Sequence, residues 1–138
     1  METSITSINN SSNNSNYSAE ALAYLGDCAL EICVREYLVR EAGISSSAKL
    51  NAAAVDFVCA PRQADAMNEI LDILTEEETA IFKRGRNHSQ TRIPRAASHA
   101  QYRTATGMET LFGWLWLTEQ KERMRELFCA AYKLDITK

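Results

Sequence analysis

Two carboxylates, Asp27 and Glu109, lie in segments whose other residues are mostly apolar and follow a helical pattern. Asp27 belongs to Tyr-Leu-Gly-Asp-Cys-Ala-Leu-Glu at positions 24 to 31, and Glu109 to Thr-Gly-Met-Glu-Thr-Leu-Phe-Gly-Trp-Leu-Trp-Leu at positions 106 to 117. Moving an ionised side chain out of water is costly unless a cation, backbone donors or a metal ion compensates. We therefore expect Asp27 to point into the protein and to need such a partner.

A pair of carboxylates without histidine or thiolate ligands suits a hard cation. Mg²⁺ prefers oxygen ligands, keeps several waters, and is often bound by one or two carboxylates together with substrate phosphates. Such an ion can activate a water molecule and stabilise the charge of a phosphodiester during in-line displacement. If the two helices pack together, the acids predict a Mg²⁺-dependent nuclease site at Asp27 and Glu109.

Two simpler interpretations of the acids stay open at this point. The segment from Thr106 to Glu109 has the spacing of a capping box, so Glu109 could close the start of a helix. Asp27 could be a core acid that is paired with an arginine such as Arg103. Neither interpretation needs a metal ion.

The basic residues are concentrated in one part of a chain whose net charge is −3. Residues 79 to 108 include no acid and six of the 15 basic residues, which leaves nine basic and 18 acidic residues elsewhere. A solvated face without a partner is one explanation. Cations mixed with amide and imidazole side chains can also bind phosphates and sugars. The RNA-binding residues that this basic strip predicts are Lys83, Arg84, Arg86, Asn87, His88, Arg92, Arg95 and Arg103.

The elements that must position these residues are all predicted to be helical. Apolar residues recur at helical spacing over about 18 to 40, with Ser18 as N-cap: Leu22, Leu25, Ala29, Ile32, Cys33 and Tyr37. A second helix after the serines at 45 to 47 should bury Leu50, Ala54, Val55 and Val58. Pro61 should lie in the first turn of a third helix, and a fourth should run from a capping box at 75 to 78 to about 85. A loop over 85 to 97 and helices over 98 to 117 and 119 to 134 complete an all-α fold. Gly26 beside Asp27 and Gly113 near Glu109 predict close approach of another element.

Size and composition predict one domain, residues 18 to 138, after a Ser/Asn-rich disordered tail at 1 to 17. No apolar run approaches the roughly 18 residues of a membrane span, so we expect no membrane partner. The four cysteines have no Cys-x-x-Cys spacing and lie in apolar segments, which is typical of buried free thiols. This pattern favours the reducing cytoplasm.

Three motifs resemble one enzyme family. The Tyr-Leu-Gly-Asp motif at 24 to 27, followed by Leu30 and Glu31, resembles the signature helix of the ribonuclease III catalytic domain. Lys-Arg-Gly-Arg-Asn at 83 to 87 and Tyr-Arg-Thr-Ala-Thr-Gly-Met-Glu-Thr-Leu-Phe-Gly at 102 to 113 are similar to the Mini-III branch. That branch lacks a double-stranded RNA-binding domain. The resemblance covers about residues 18 to 134.

The resemblance implies an all-α homodimer whose valley holds double-stranded RNA, with one active site in each subunit. Cleavage would be Mg²⁺-dependent and would leave 5′-phosphate and 3′-hydroxyl ends. The implied substrate is the precursor of large-subunit (23S) ribosomal RNA, with a ribosomal protein as a possible partner. Asp27 and Glu109 match the catalytic, metal-binding acids of the family. The alternative is a ribonuclease III-like RNA-binding or ribosome-assembly protein that does not turn over.

The chain departs from full-length ribonuclease III at two positions. Those enzymes have further acids four residues before the signature Asp and three residues before the later Glu, where this chain has Ala23 and Thr106. The reduced set is the Mini-III pattern. It implies two acids per subunit and argues against a tightly bound second metal ion.

Overall fold

The computed structural model describes residues 17–88 and 98–135, and every regular element in these ranges is helical. The all-α prediction is therefore confirmed. The predicted tail lies outside the described residues except for Tyr17. The helices are α1 (Ala19–Arg40), α2 (Ser47–Val58), α3 (Ala60–Ile70), a 3-10 turn (Leu71–Ile73), α4 (Glu76–Asn87), α5 (His99–Leu117) and α6 (Lys121–Tyr132).

The helix starts follow from local side-chain chemistry. The Ser18 hydroxyl accepts a hydrogen bond from the backbone N–H of Ala21 at the start of α1. Complete capping boxes open α4, at Thr75 with Glu78, and α5, at Ser98 with Gln101. Pro61 lies in the first turn of α3, where its missing N–H removes no helical hydrogen bond. The predictions at these four helix starts are confirmed.

Helix α5 is the central element of the fold. It contacts α1, α3, α4 and α6, and its buried residues run almost continuously from Ala105 to Leu115. A helix covered on nearly all sides has little room for charge. Glu109 lies in the middle of this buried stretch and is only half-buried itself.

Two glycines let α1 and α5 cross with their backbones in contact. A methyl group on Gly26 would overlap the carbonyl oxygen of Glu109, and one on Gly113 would overlap the carbonyl oxygen of Leu22. Any larger residue at either position would push the helices apart. The predicted close approach at both glycines is confirmed, and it fixes Asp27 beside the turn that carries Glu109.

A third glycine corrects the predicted end of α4. Sequence placed that end near Gly85, with a loop from 85 to 97, but α4 continues to Asn87. Gly85 is buried against Thr110 and Gly107 of α5, where a side chain would overlap Thr110. This glycine serves close packing of two helices and does not break the helix.

Two predictions of burial were wrong. Val55, expected in the core, is 61% exposed because α2 buries only Ala54. The cysteines were expected to be buried, yet only Cys33 is, whereas Cys28 and Cys59 are exposed. In both cases a helix offers fewer core positions than its apolar residues suggest. Among the described helices, none is long and apolar enough to cross a membrane.

Candidate active site

The crossing of α1 and α5 brings the two predicted acids into electrostatic contact. Burial, and then the negative charge of Asp27, raise the pKa of Glu109 to about 7. A hydrogen bond from the side chain of Gln63 acts in the opposite direction. Residues 82 positions apart in sequence therefore share one electrostatic environment.

The expected inward orientation of Asp27 was wrong. The side of α1 that faces the core is formed by Leu22, Gly26 and Leu30, among others. Asp27 is rotated by about 100° from Gly26, because an α-helix has 3.6 residues per turn. It is exposed and lines an open depression with Cys28, Glu31, Ile32 and Arg35. The enclosed acid of the pair is Glu109.

The structure decides against both simpler interpretations of the acids. Glu109 does not cap a helix, because α5 begins ten residues earlier and Thr106 donates its hydroxyl to the carbonyl of Tyr102 within that helix. The ion pairs among residues 17–88 and 98–135 do not include one between Asp27 and Arg103. Neither arrangement therefore compensates the charges of Asp27 and Glu109, and another positive group is needed to do so.

The donor set fits a hard divalent cation. The two carboxylates come from different helices, one half-buried and one open to solvent, and their mutual repulsion would be offset by a positive ion. Within the described ranges no group of three or more His, Cys, Asp or Glu residues could hold a metal ion. An ion held by these two acids must take its other ligands from water or substrate, which Mg²⁺ readily does.

The described members of the basic strip lie at the end of α4 and the beginning of α5. Lys83 and Arg103 are exposed. Arg84 donates a hydrogen bond of 2.7 Å to the carbonyl of Tyr17, and Arg86 lies 5.7 Å from the centre of the Phe82 ring. Asn87 accepts from Arg86 at 3.2 Å, and His88 is the C-cap of α4. Arg92 and Arg95 fall outside the described residues.

The strip and the acids are linked through the contact of α4 with α5. Gly85, between Arg84 and Arg86, packs on Gly107 and Thr110, which flank Glu109 on α5. The cationic end of α4 therefore lies within about one helical turn of the residues next to the acid.

Sequence reasoning missed Gln63. This side chain is 2% exposed, and its amide nitrogen donates to the carbonyl oxygen of Ala105 at 3.1 Å. Its position was detectable: Gln63 precedes the buried residues Met67 and Ile70 by four and seven positions, which places it on the core face of α3. A buried amide at such a position calls for partners, and here they lie on the turn that carries Glu109.

The chain matches a known class of enzyme domain. A model of the ribonuclease III domain matches residues 20–120, a range that contains both acids and Gln63. The matched range also includes helices α3, α4 and α5 in full and all but the first residue of α1. The elements that build the site are thus those of a ribonuclease III domain.

The relatives narrow this class to one branch. Mini-ribonuclease 3 of Enterococcus faecalis is 45% identical over 109 residues, 78% of this chain and 82% of that protein. Mini-ribonuclease 3 of Symbiobacterium thermophilum is 40% identical over 110 residues, 80% of this chain and 84% of that protein. A crystal structure of protein FN1578 from Fusobacterium nucleatum superimposes with a TM-score of 0.75 at 29% identity, covering 85% of this chain and 93% of that one. The chain belongs to the Mini-ribonuclease 3 branch of the ribonuclease III family.

Proposed function

We propose that Asp27 and Glu109 together bind Mg²⁺ and that the protein uses this site to hydrolyse phosphodiester bonds of double-stranded RNA. Family membership makes the chain an endoribonuclease that acts on double-stranded RNA in ribosomal RNA processing. The observation that carries the site is the pair of neighbouring carboxylates, in which Asp27 raises the pKa of a half-buried Glu109. We further propose the precursor of large-subunit ribosomal RNA as substrate and 5′-phosphate and 3′-hydroxyl ends as products.

The two acids have different tasks in this proposal. Glu109 is held on the rigid central helix and must be ionised to bind a cation, so it anchors the site from inside. Asp27 is exposed at the open depression, where RNA can reach it. When bound, Mg²⁺ would supply the charge that activates water and stabilises the phosphodiester during displacement.

The basic strip is proposed to hold the duplex. Lys83 and Arg103 present exposed cations near the end of α4 and the start of α5. Because such contacts release counterions from the phosphate backbone, we expect binding to weaken steeply as salt rises, in proportion to the number of phosphates contacted.

The outer face of α1 supports the proposed homodimer. Tyr24 is 85% exposed and Ile32 is 49% exposed, although both are large apolar or aromatic residues. An apolar pocket lined by Leu25, Cys28, Ala29, Ile32 and Trp116 adjoins them. A second copy of the chain would cover this surface and bring two sites into one assembly.

Sedimentation tests the dimer directly. Wild-type protein should sediment as a dimer at micromolar concentration, and Ile32→Glu should give a folded monomer, since it places a charge in the apolar surface. Val55→Glu is the matched control, because Val55 is an exposed apolar residue that lies on α2 and does not line that pocket. A monomeric wild type, or equal dissociation by both variants, would count against the dimer.

Cytoplasmic location is also proposed. Its support is the four free cysteines, two of which are exposed and would be oxidised in a strongly oxidising compartment. The ribosomal-protein partner stays a prediction from the resemblance.

The function is tested by neutralising each acid. Asp27→Asn and Glu109→Gln should cleave duplex RNA at least about 1,000-fold more slowly with Mg²⁺, because the ion supplies several kcal/mol of charge stabilisation. Both should still bind the RNA. Glu36→Gln is the control, since Glu36 is a carboxylate on the same helix that is paired with Arg40 instead of facing Glu109.

The alternative, a binding protein without turnover, predicts a different result. With Mg²⁺, wild-type protein would then form a complex with duplex RNA but would yield no chelator-sensitive cleavage products. Cleavage by both acid variants at the wild-type rate would refute the proposed chemistry itself.

A further inference from the structure

Gln63 is a neutral polar side chain in an otherwise apolar part of the core. It is 2% exposed and lies on α3 among the buried residues Ala64, Ala66 and Met67. Burying an amide without hydrogen-bond partners costs free energy that a leucine or methionine in its place would not cost. The contacts of this amide therefore indicate what it contributes.

Both contacts lead to one turn of α5. The amide nitrogen of Gln63 donates to the carbonyl of Ala105 at 3.1 Å. Ala105 precedes Glu109 by four residues, so this carbonyl lies one helical turn before the acid. The same Gln63 side chain lies close enough to the carboxyl group of Glu109 to lower its pKa. A primary amide carries two N–H donors, so one can stay on the carbonyl of Ala105 while the other serves the carboxylate.

This arrangement limits how the Glu109 carboxyl group can turn. One amide donor is anchored to backbone that belongs to the same rigid helix, which leaves the second donor available to the nearby carboxylate. A glutamate side chain otherwise has three rotatable bonds and would sample several orientations. In metal sites, hydrogen bonds of this kind orient the ligand, and their loss typically weakens metal binding by about 10-fold to 100-fold.

We propose that Gln63 is a positioning residue that fixes the carboxylate of Glu109 in the orientation needed to bind the metal ion. The inference rests on the proposed function, since it assigns Glu109 to the metal. A purely structural role, in which Gln63 only joins α3 to α5 through Ala105, makes a different prediction. It would lower stability and leave metal affinity unchanged.

The test measures metal binding to the protein without RNA. Mn²⁺, a paramagnetic substitute for Mg²⁺, is titrated against wild type, Gln63→Met and Gln63→Asn, and free Mn²⁺ is followed by electron paramagnetic resonance. Methionine keeps the length of the side chain without its donors, whereas asparagine keeps the amide but is one methylene shorter. We expect both variants to bind Mn²⁺ about 10-fold more weakly.

Kinetics supply a second measurement. With duplex RNA at fixed Mg²⁺ below saturation, kcat should fall about 10-fold in each variant while KM for RNA changes less than about twofold, because Gln63 acts through the metal ligand and not through RNA contacts. Thr110→Val is the matched control. Thr110 is equally buried on α5 and donates to the carbonyl of Thr106, so valine removes a comparable hydrogen bond that does not involve the carboxyl group of Glu109.

The outcomes separate this inference from the proposed function. Wild-type Mn²⁺ affinity in a folded Gln63→Met or Gln63→Asn protein would overturn the positioning role. The same loss of affinity in Thr110→Val would overturn it too, because the effect would then come from general loosening of α5. If Glu109→Gln kept wild-type Mn²⁺ affinity and cleavage, the metal site itself would be wrong, whatever Gln63 does.

Discussion

Two enclosed glutamates, Glu78 and Glu109, have opposite environments in this small protein. Glu78 is 2% exposed, and its carboxylate accepts hydrogen bonds of 2.9 Å from the guanidinium of Arg123 and from the backbone N–H of Thr75. Although burial alone would raise it, the pKa of Glu78 is held below its usual value by these bonds. Burial and the negative charge of Asp27 raise the pKa of Glu109 to about 7, and a neutral amide, Gln63, lowers it in place of a cation.

The difference separates an acid whose charge the fold balances from one whose charge it does not balance. The charge of Glu78 is balanced by Arg123. The same guanidinium donates to the carbonyl of Ile73, just before α4, so it also ties α6 to the start of that helix. The charge of Glu109 is not balanced within the described residues. A position that leaves a charge unbalanced lowers stability and suits a site that binds a cation from solution.

The largest expected effect comes from removing the partner of Glu78. Arg123→Met should lower the free energy of unfolding by about 3–5 kcal/mol at pH 7, because it leaves an almost fully buried carboxylate without its cation. Urea unfolding followed by circular dichroism measures the change. Cleavage per folded molecule should stay near the wild-type rate, since neither residue lies at the proposed site.

A second substitution identifies the cause. In the Arg123→Met, Glu78→Gln double variant no buried charge is left, so part of the lost stability should return. If the double variant is as unstable as the sum of the two single variants, the two side chains do not interact energetically. Glu78 and Glu109 would then not differ in the way the structure indicates.

The same two acids illustrate how far sequence could predict the structure. The capping box of Thr75 with Glu78 was predicted because its signal spans only four residues. The ion pair with Arg123, 45 residues away, depends on how α6 packs and has no local signal. Gly26 and Gly113 indicated a close helix crossing, since glycine inside a helix is unfavourable without such a reason.

The orientation of Asp27 could not be predicted from the hydrophobic pattern of α1 alone. The predicted apolar face of α1 included Ile32, which is 49% exposed, whereas the core face includes Gly26 and Leu30. One residue of error in helical phase rotates a side chain by about 100°, enough to move an acid from the core to solvent. The pairing of the two acids was nevertheless predicted correctly, because it depends on the glycine crossing and not on that phase.

The smallest expected effect concerns how each glutamate changes stability with pH in the absence of divalent metal. The pKa of Glu109 rises from 4.5 to about 7 on folding, so its contribution to stability is fully present below about pH 4.5 and is lost as pH increases through 7. Glu109→Gln should therefore be about as stable as wild type near pH 5 and more stable than wild type at pH 8, by up to about 3 kcal/mol in free energy of unfolding.

Glu78→Gln should show the opposite pH dependence. The pKa of Glu78 is lowered on folding, so the variant should be less stable than wild type at pH 8, and this loss of stability should shrink as the solution becomes acidic. Thermal unfolding at pH 5 and pH 8 measures both trends, and adding Mg²⁺ at pH 8 should stabilise wild type and Glu78→Gln but not Glu109→Gln. A Glu109→Gln protein that is less stable than wild type at pH 8 without metal would mean that the ionised carboxylate is compensated by the fold, and the contrast with Glu78 would disappear.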